Sequence, residues 1–125
     1  MTTENSELLI QIAAMPADTN ANGDIFGGWL VANMDMGGAI AARRYAKCRV
    51  VTVAIDQMVF KKPVYVGDTV CCYATLTHVG RTSLQFKIEV FTIGIAATDR
   101  KPVAEGMFTF VAIDDDGKPQ AVKRT

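Results

Sequence analysis

Trp29-Leu30-Val31-Ala32-Asn33-Met34-Asp35-Met36-Gly37-Gly38-Ala39-Ile40-Ala41-Ala42 decides the fold of this chain, and Asn33 and Asp35 are its only polar residues. A surface helix carries one apolar stripe, whereas a helix that is apolar on nearly every side belongs in an interior. Gly37 and Gly38 each cost a helix roughly 1 kcal/mol of propensity. Such a pair points to close approach of another element, either a sheet wrapped around the helix or a partner subunit. Arg43, Arg44 and Lys47 follow and place positive charge at the C-terminal end, where the helix dipole favours it. At roughly 15 residues or more, the helix spans about 23 Å.

Working outward, the residues before the helix change character twice. Leu8 to Met15 reads as a first strand closed by Pro16. Ala17 to Gly28 is rich in Asn, Asp and Gly, which is loop chemistry. Beyond Arg49 the apolar period switches to two. Val51, Val53, Ile55 and Val59 alternate with Thr52, Ala54, Asp56 and Met58, and Pro63, Gly67 and Asp68 mark a turn. Val70 to Val79 is the next strand, with Cys72, Ala74 and Leu76 on one face. Thr82 to Ile93 alternates most cleanly, setting Leu84, Phe86, Ile88 and Val90 against Ser83, Gln85, Lys87 and Glu89. Val103 to Ile113 is the last strand, and Asp114-Asp115-Asp116-Gly117 is a turn or the start of a frayed tail.

The order is strand, long buried helix, then four strands with short links, which predicts an antiparallel meander in an α+β domain. A long central helix wrapped by a curved antiparallel five-stranded sheet is the hot-dog fold. So small a sheet cannot cover a helix that is apolar all round, so a dimer joining two sheets edge to edge is expected.

The 125 residues suit a single domain with a tail from about 114. Thirteen basic residues balance thirteen acidic ones, and basic runs stop at pairs, so no nucleic-acid partner is expected. No apolar run reaches the roughly 18 residues of a membrane span. Met1 to Glu7 lacks the features of a secretory leader, and three cysteines without framework spacing suit a reducing cytoplasm.

Asp35 is the first candidate for chemistry. Burying an unpaired carboxylate costs several kcal/mol, so one in mid-helix calls for a use or a partner. The structural alternative is a carboxylate bonded to nearby backbone at a kink, or facing a polar interface. The second candidate is Asn20-Ala21-Asn22-Gly23-Asp24-Ile25-Phe26-Gly27-Gly28, running directly into the helix. Glycines there let backbone amides at a helix N-terminus approach a ligand and hold a developing oxyanion. The alternative is an ordinary turn with Asp24 favoured by the dipole. Gly27/Gly28 and Asp35 lie roughly 10 Å apart along one helix. A two-fold dimer is therefore expected to bring Asp35 of one chain to the Asn20 loop of the other.

The runs M-P-A-D-T-N-A-N-G-D-I-F-G-G-W-L and M-D-M-G-G-A-I closely resemble the YciA-type acyl-CoA thioesterases of the hot-dog superfamily. V-V-T-V, K-P-V-x-V-G-D-x-V-C-C-Y and the strand after V-G-R-T-S match as well, so the resemblance covers nearly the whole chain. It implies that Asp35 is the catalytic carboxylate, that Asn20 is its counterpart across the dimer, and that Gly27 or Gly28 offers amides to the thioester oxygen. It also implies hot-dog dimers, often assembled as trimers of dimers into a homohexamer. The Gly94 to Lys101 connection departs from the pattern by being shorter, at the edge of the site.

Thioester hydrolysis needs no cofactor, coenzyme A being part of substrate and product. Asp35 would act as general base or attack directly to form an anhydride, with Asn20 orienting the water or the carboxylate. Coenzyme A carries phosphates, and Arg81 with Thr82 and Ser83 is the first choice to bind it, followed by Lys61 and Lys62. Arg43 and Arg44 read as dipole-compensating surface residues. His78, the sole histidine, reads as structural. Cys71 and Cys72 point to opposite faces of a strand, so no metal site is expected. Phe26, Trp29, Phe86, Phe108, Phe110 and the methionines suit a core or an acyl tunnel. Two other readings are a hot-dog dehydratase or hydratase, which would want a histidine near the loop or helix, and a non-catalytic acyl-CoA sensor.

Overall fold

Leu84, Phe86, Ile88 and Val90 are buried on one face of the sheet, as the strict alternation of their strand requires. They belong to a computed structural model that describes residues 6–122. Its elements are β1 (Glu7–Ala13), a 3-10 turn at Pro16–Asp18, α1 (Gly27–Ala46), β2 (Arg49–Phe60), β3 (Thr69–Val79), β4 (Ser83–Ile93) and β5 (Lys101–Ile113). The helix and the five-stranded antiparallel sheet are those expected of a hot-dog fold.

The helix is longer than Trp29–Ala42, starting at Gly27 and ending at Ala46. Lys47 stops it in a left-handed conformation (φ 57°), its N–H donating to the Arg43 carbonyl. Leu30, Met34, Ala41 and Ala42 press into the sheet with Phe108 and Phe110. The two glycines do allow close approach. A Cβ on Gly38 would lie 2.8 Å from Phe110 Cζ, and one on Gly37 would lie 3.3 Å from Ile10 Cγ1. The outer side of the helix is less covered than its composition implies, since Met36 is 54 % exposed. One sheet cannot wrap a helix completely.

The strand order is β1-β3-β4-β5-β2, which corrects the expected meander. Only β3, β4 and β5 follow one another. β2 pairs with β5 and stands at the far edge, three strand spacings, or about 14 Å, from β3. The connection over residues 61–68 is long enough to cross that distance under the sheet. It is tied on the way by Lys61 and Lys62 N–H to the Val103 carbonyl, Ile25 N–H to Val64, and Gly67 N–H to Ala14.

β2 itself is irregular. Its register against β5 slips between Thr52 and Ala54 and again between Asp56 and Val59, where Gln57 takes φ 54°. Val51, Val53, Ile55 and Val59 are all exposed. The chain after β5 is folded as far as Val122: Asp114 closes a turn with Lys118, Gln120 N–H returns to Ala112, and Val122 N–H to Arg81.

Candidate active site

Asp35 lies on the flank of α1 that faces β2. Its Oδ1 accepts a hydrogen bond of 2.6 Å from Thr52 Oγ1. The carboxylate is half-buried rather than enclosed. Asn33, the other polar residue of the helix core, is buried and satisfied by donating Nδ2–H to the Trp29 carbonyl at 2.9 Å. Of the two, Asp35 is the one left open to a reactant.

The loop before the helix is a closed turn. Asn20 Oδ1 accepts the N–H groups of Asn22 (2.8 Å) and Asp24 (3.2 Å), while Asn20 N–H donates to the Asp24 carbonyl. Gly23 takes φ +83°, a conformation that other residues rarely adopt. With its oxygen occupied, the exposed Asn20 side chain presents its NH₂ group outward as a donor. Asp24 does not cap the helix. Phe26 is the N-cap residue, without a side-chain cap, and no acidic residue stands in the first turn.

That uncapped start matters for the amides. Phe26 N–H donates to Asp18 and Trp29 N–H to Phe26, which leaves Gly27 and Gly28 N–H without an acceptor among the described residues. Unpaired amides at a helix start attract negative charge. Aromatic rings screen both glycines: a Cβ on Gly27 would lie 3.2 Å from Phe60, and one on Gly28 would lie 3.4 Å from Phe26. A hollow of about 380 Å³ opens beside them, lined by Ile25, Gly27, Leu30, Phe60 and Lys61 to Val64. Phe26 is therefore no core residue, being 41 % exposed; Phe86, Phe108 and Phe110 are core. Trp29 packs against that core from its margin.

One chain does not join these parts. Gly28 and Asp35 are seven residues apart on the helix, about 10 Å, and no hydrogen bond links Asn20 to Asp35. The cationic candidates are also divided. Arg81, Thr82 and Ser83 form the β3–β4 turn, whereas Lys61 and Lys62 follow β2 at the opposite end of the sheet, roughly 35 Å away along β3. Lys61 is committed to Glu105 at 2.8 Å, and that hydrogen bond holds the Glu105 carboxyl below its usual range. Lys62 has no ion pair among the described residues.

Neither the histidine nor the cysteines join the site. His78 is exposed near the Arg81 end of β3. Burial pushes the Cys72 thiol up to about 12, with a further push from Cys71, and burial also raises Cys71 against the lowering effect of Arg100. Among the described residues no cluster of His, Cys, Asp or Glu could hold a metal, and no helix is long and apolar enough to cross a membrane. Sequence reading missed Thr52 and Phe60, since a threonine and a phenylalanine in a strand carry no signal of their own.

Residues 22–97, from the Asn20 loop into the connection after β4, match the thioesterase superfamily model. The chain is 51% identical to the acyl-CoA thioester hydrolase YciA of Salmonella typhimurium over 121 residues, covering 94% of this chain and 91% of that protein. The chain belongs to the YciA-type acyl-CoA thioester hydrolases. Hydrolysis of acyl-CoA is its activity. Among solved structures it is similar to the hexameric thioesterase of Yersinia pestis, with TM-score 0.91 and 52% identity over 98% of this chain and 99% of that one. A more distant member is the acyl-CoA hydrolase of Staphylococcus aureus, solved with butyryl coenzyme A. Its TM-score is 0.87 and its identity 32%, over 97% of this chain and 73% of that one. Family membership selects hydrolysis over the dehydratase and sensor readings.

Proposed function

We propose that the thioesterase site is composite, with Asp35 from one chain facing Asn20, Gly27 and Gly28 of a second. The observation that carries this is the bond from Thr52 to Asp35, which sets the carboxylate beside the exposed edge strand β2. A second copy pairing its β2 antiparallel to this one continues the sheet and covers Val51, Val53, Ile55 and the outer helix face. The same two-fold lays the partner's helix start against Asp35. It also carries each Arg81-Thr82-Ser83 turn towards the other chain's Lys61-Lys62 end, so both candidate groups reach one coenzyme A.

In this site the Gly27 and Gly28 amides receive the thioester oxygen as it gains charge. Asp35 takes a proton from water attacking the carbonyl and returns it to the departing coenzyme A thiolate; or it attacks directly, expelling the thiolate to take a proton from solvent, and water then opens the mixed anhydride to free the acid and restore the carboxylate. The outward NH₂ of Asn20 donates to the carboxylate or to a water oxygen. No cofactor enters the scheme, and coenzyme A is substrate and product only. The chain is one hot-dog domain. Three such dimers form the homohexamer, as in the hexameric Yersinia pestis relative. Three thiols without a partner suit the cytoplasm.

Complementation tests the composite site. Asp35→Ala and Asn20→Ala should each lower kcat, the former by on the order of a thousandfold. Unfolding and refolding the two variants together should restore about a quarter of wild-type activity, because half the dimers are mixed and each mixed dimer holds one intact site. Recovery of nothing would place both residues in one chain's site. Asp35→Ala as fast as wild type would remove the catalytic assignment.

A further inference from the structure

A cavity of about 370 Å³ opens at the helix N-terminal end of the sheet, among Lys62, Pro63, Tyr65, Asp68, Thr92 and Lys101. Three elements build it. Thr92 and Lys101 are cross-strand partners on β4 and β5, so their side chains share a face. Lys62 is held alongside by its N–H to the Val103 carbonyl, two residues beyond Lys101. Neither lysine has an ion pair among the described residues, unlike neighbouring Lys61.

Thr92 is the odd member. It is 5 % exposed and lines the cavity. Its hydroxyl is not an enclosed atom without a partner, as those of Ser6 and Thr75 are. The open direction for it is the cavity. The one carboxylate present is partly committed, Asp68 Oδ2 accepting Tyr65 N–H at 3.0 Å. Two free ammonium groups and a free hydroxyl against one carboxylate favour an anion with several acceptor oxygens.

This cavity adjoins the hollow at Gly27, sharing Lys62 and Pro63 with it. A ligand with a carbonyl at the Gly27 and Gly28 amides can therefore run past Phe60 and Pro63 into it. Coenzyme A has that form, with a thioester at one end of the pantetheine arm and phosphates at the other. We infer that Thr92, Lys101 and Lys62 bind a phosphate of the coenzyme A nucleotide, which gives the substrate a second anchor beyond the reacting carbonyl. The inference rests on the placing of the thioester at Gly27 and Gly28.

The test compares acyl-CoA with the same acyl group on pantetheine, which has no phosphate, using Thr92→Val and Lys101→Gln in the assembled enzyme. Valine keeps the shape of threonine and suits a strand. For acyl-CoA each variant should raise KM about tenfold, the cost of one charge-assisted hydrogen bond, with kcat held. For acyl-pantetheine neither constant should move. An unchanged KM for acyl-CoA overturns the inference, and so does an equal loss on both substrates, which marks a structural role. Calorimetric titration separates the phosphate sources. Weaker binding of free coenzyme A by the variants supports the nucleotide, whereas loss of inorganic phosphate binding alone, with coenzyme A unaffected, overturns it. Should Gly27 and Gly28 prove not to hold the thioester, acyl-pantetheine turnover would survive their substitution, a result separate from all of these.

Discussion

Replacing Thr52 by valine removes one hydroxyl from the enzyme and changes little else. Thr52 sits on β2, opposite Phe110 of β5, and valine is at least as good a strand residue. What is lost is the 2.6 Å bond to Asp35 Oδ1. Hydrogen bonds to charged groups contribute about 1.5–3 kcal/mol, and the lower figure applies because this pair is partly open to water. If the bond fixes the carboxylate in its working direction, the loss falls on the transition state. About 1.4 kcal/mol there is a tenfold drop in kcat. Thiol release from acyl-CoA at saturating substrate measures it, with KM within about twofold of wild type. An unchanged kcat would show that Thr52 does not position Asp35. A loss as deep as that of Asp35→Ala would show that Thr52 touches the reactants itself, which also refutes the argument.

Three further outcomes follow from packing and burial. Gly38→Ala gains about 1 kcal/mol of helix propensity but drives a methyl to 2.8 Å from Phe110 and 3.2 Å from Ile88, so a net loss of about 1 kcal/mol is expected in urea unfolding. The Cys72 thiol titrates near 12 in the fold against an ordinary 9.0. The unfolded chain therefore loses its proton first, and stability falls as pH rises from 9 towards 12, by up to about 1.4 kcal/mol per pH unit. Cys72→Ala should flatten that alkaline slope relative to wild type. Val53→Lys with Ile55→Lys places two charges on the exposed side chains of the edge strand. Sedimentation should then show monomers and thiol release should collapse with the mass; intact assemblies would remove β2 from the interface.

Legibility from sequence followed the range of the interactions involved. β4 could be read residue by residue because Leu84, Phe86, Ile88 and Val90 answer to one local rule and one core. β2 follows the same rule in its sequence, yet Val51, Val53 and Ile55 stay exposed in a single chain. Strand order depends on which distant strand captures β2, and a connection of eight residues allows either edge. In the site, Asp35 was visible as a lone charge in an apolar run, and the Asn-Gly loop as turn chemistry. Thr52 was not, since its contact with Asp35 crosses 17 positions and leaves no local trace. Nor could sequence show that Asn20 uses its oxygen within its own loop, which decides the group that it offers outward.

The bare edge of β2 also sets how this enzyme comes into being. A newly folded single chain exposes the unpaired outer edge of a twelve-residue strand bordered by valines, isoleucine and Phe60. That surface is adhesive to any extended chain it meets, and under the composite-site proposal the solitary form is idle as well as hazardous. Its working rate per molecule will depend on dilution, falling once copies spend longer apart than together. Under that proposal the concentration of the protein acts as a switch on its own activity.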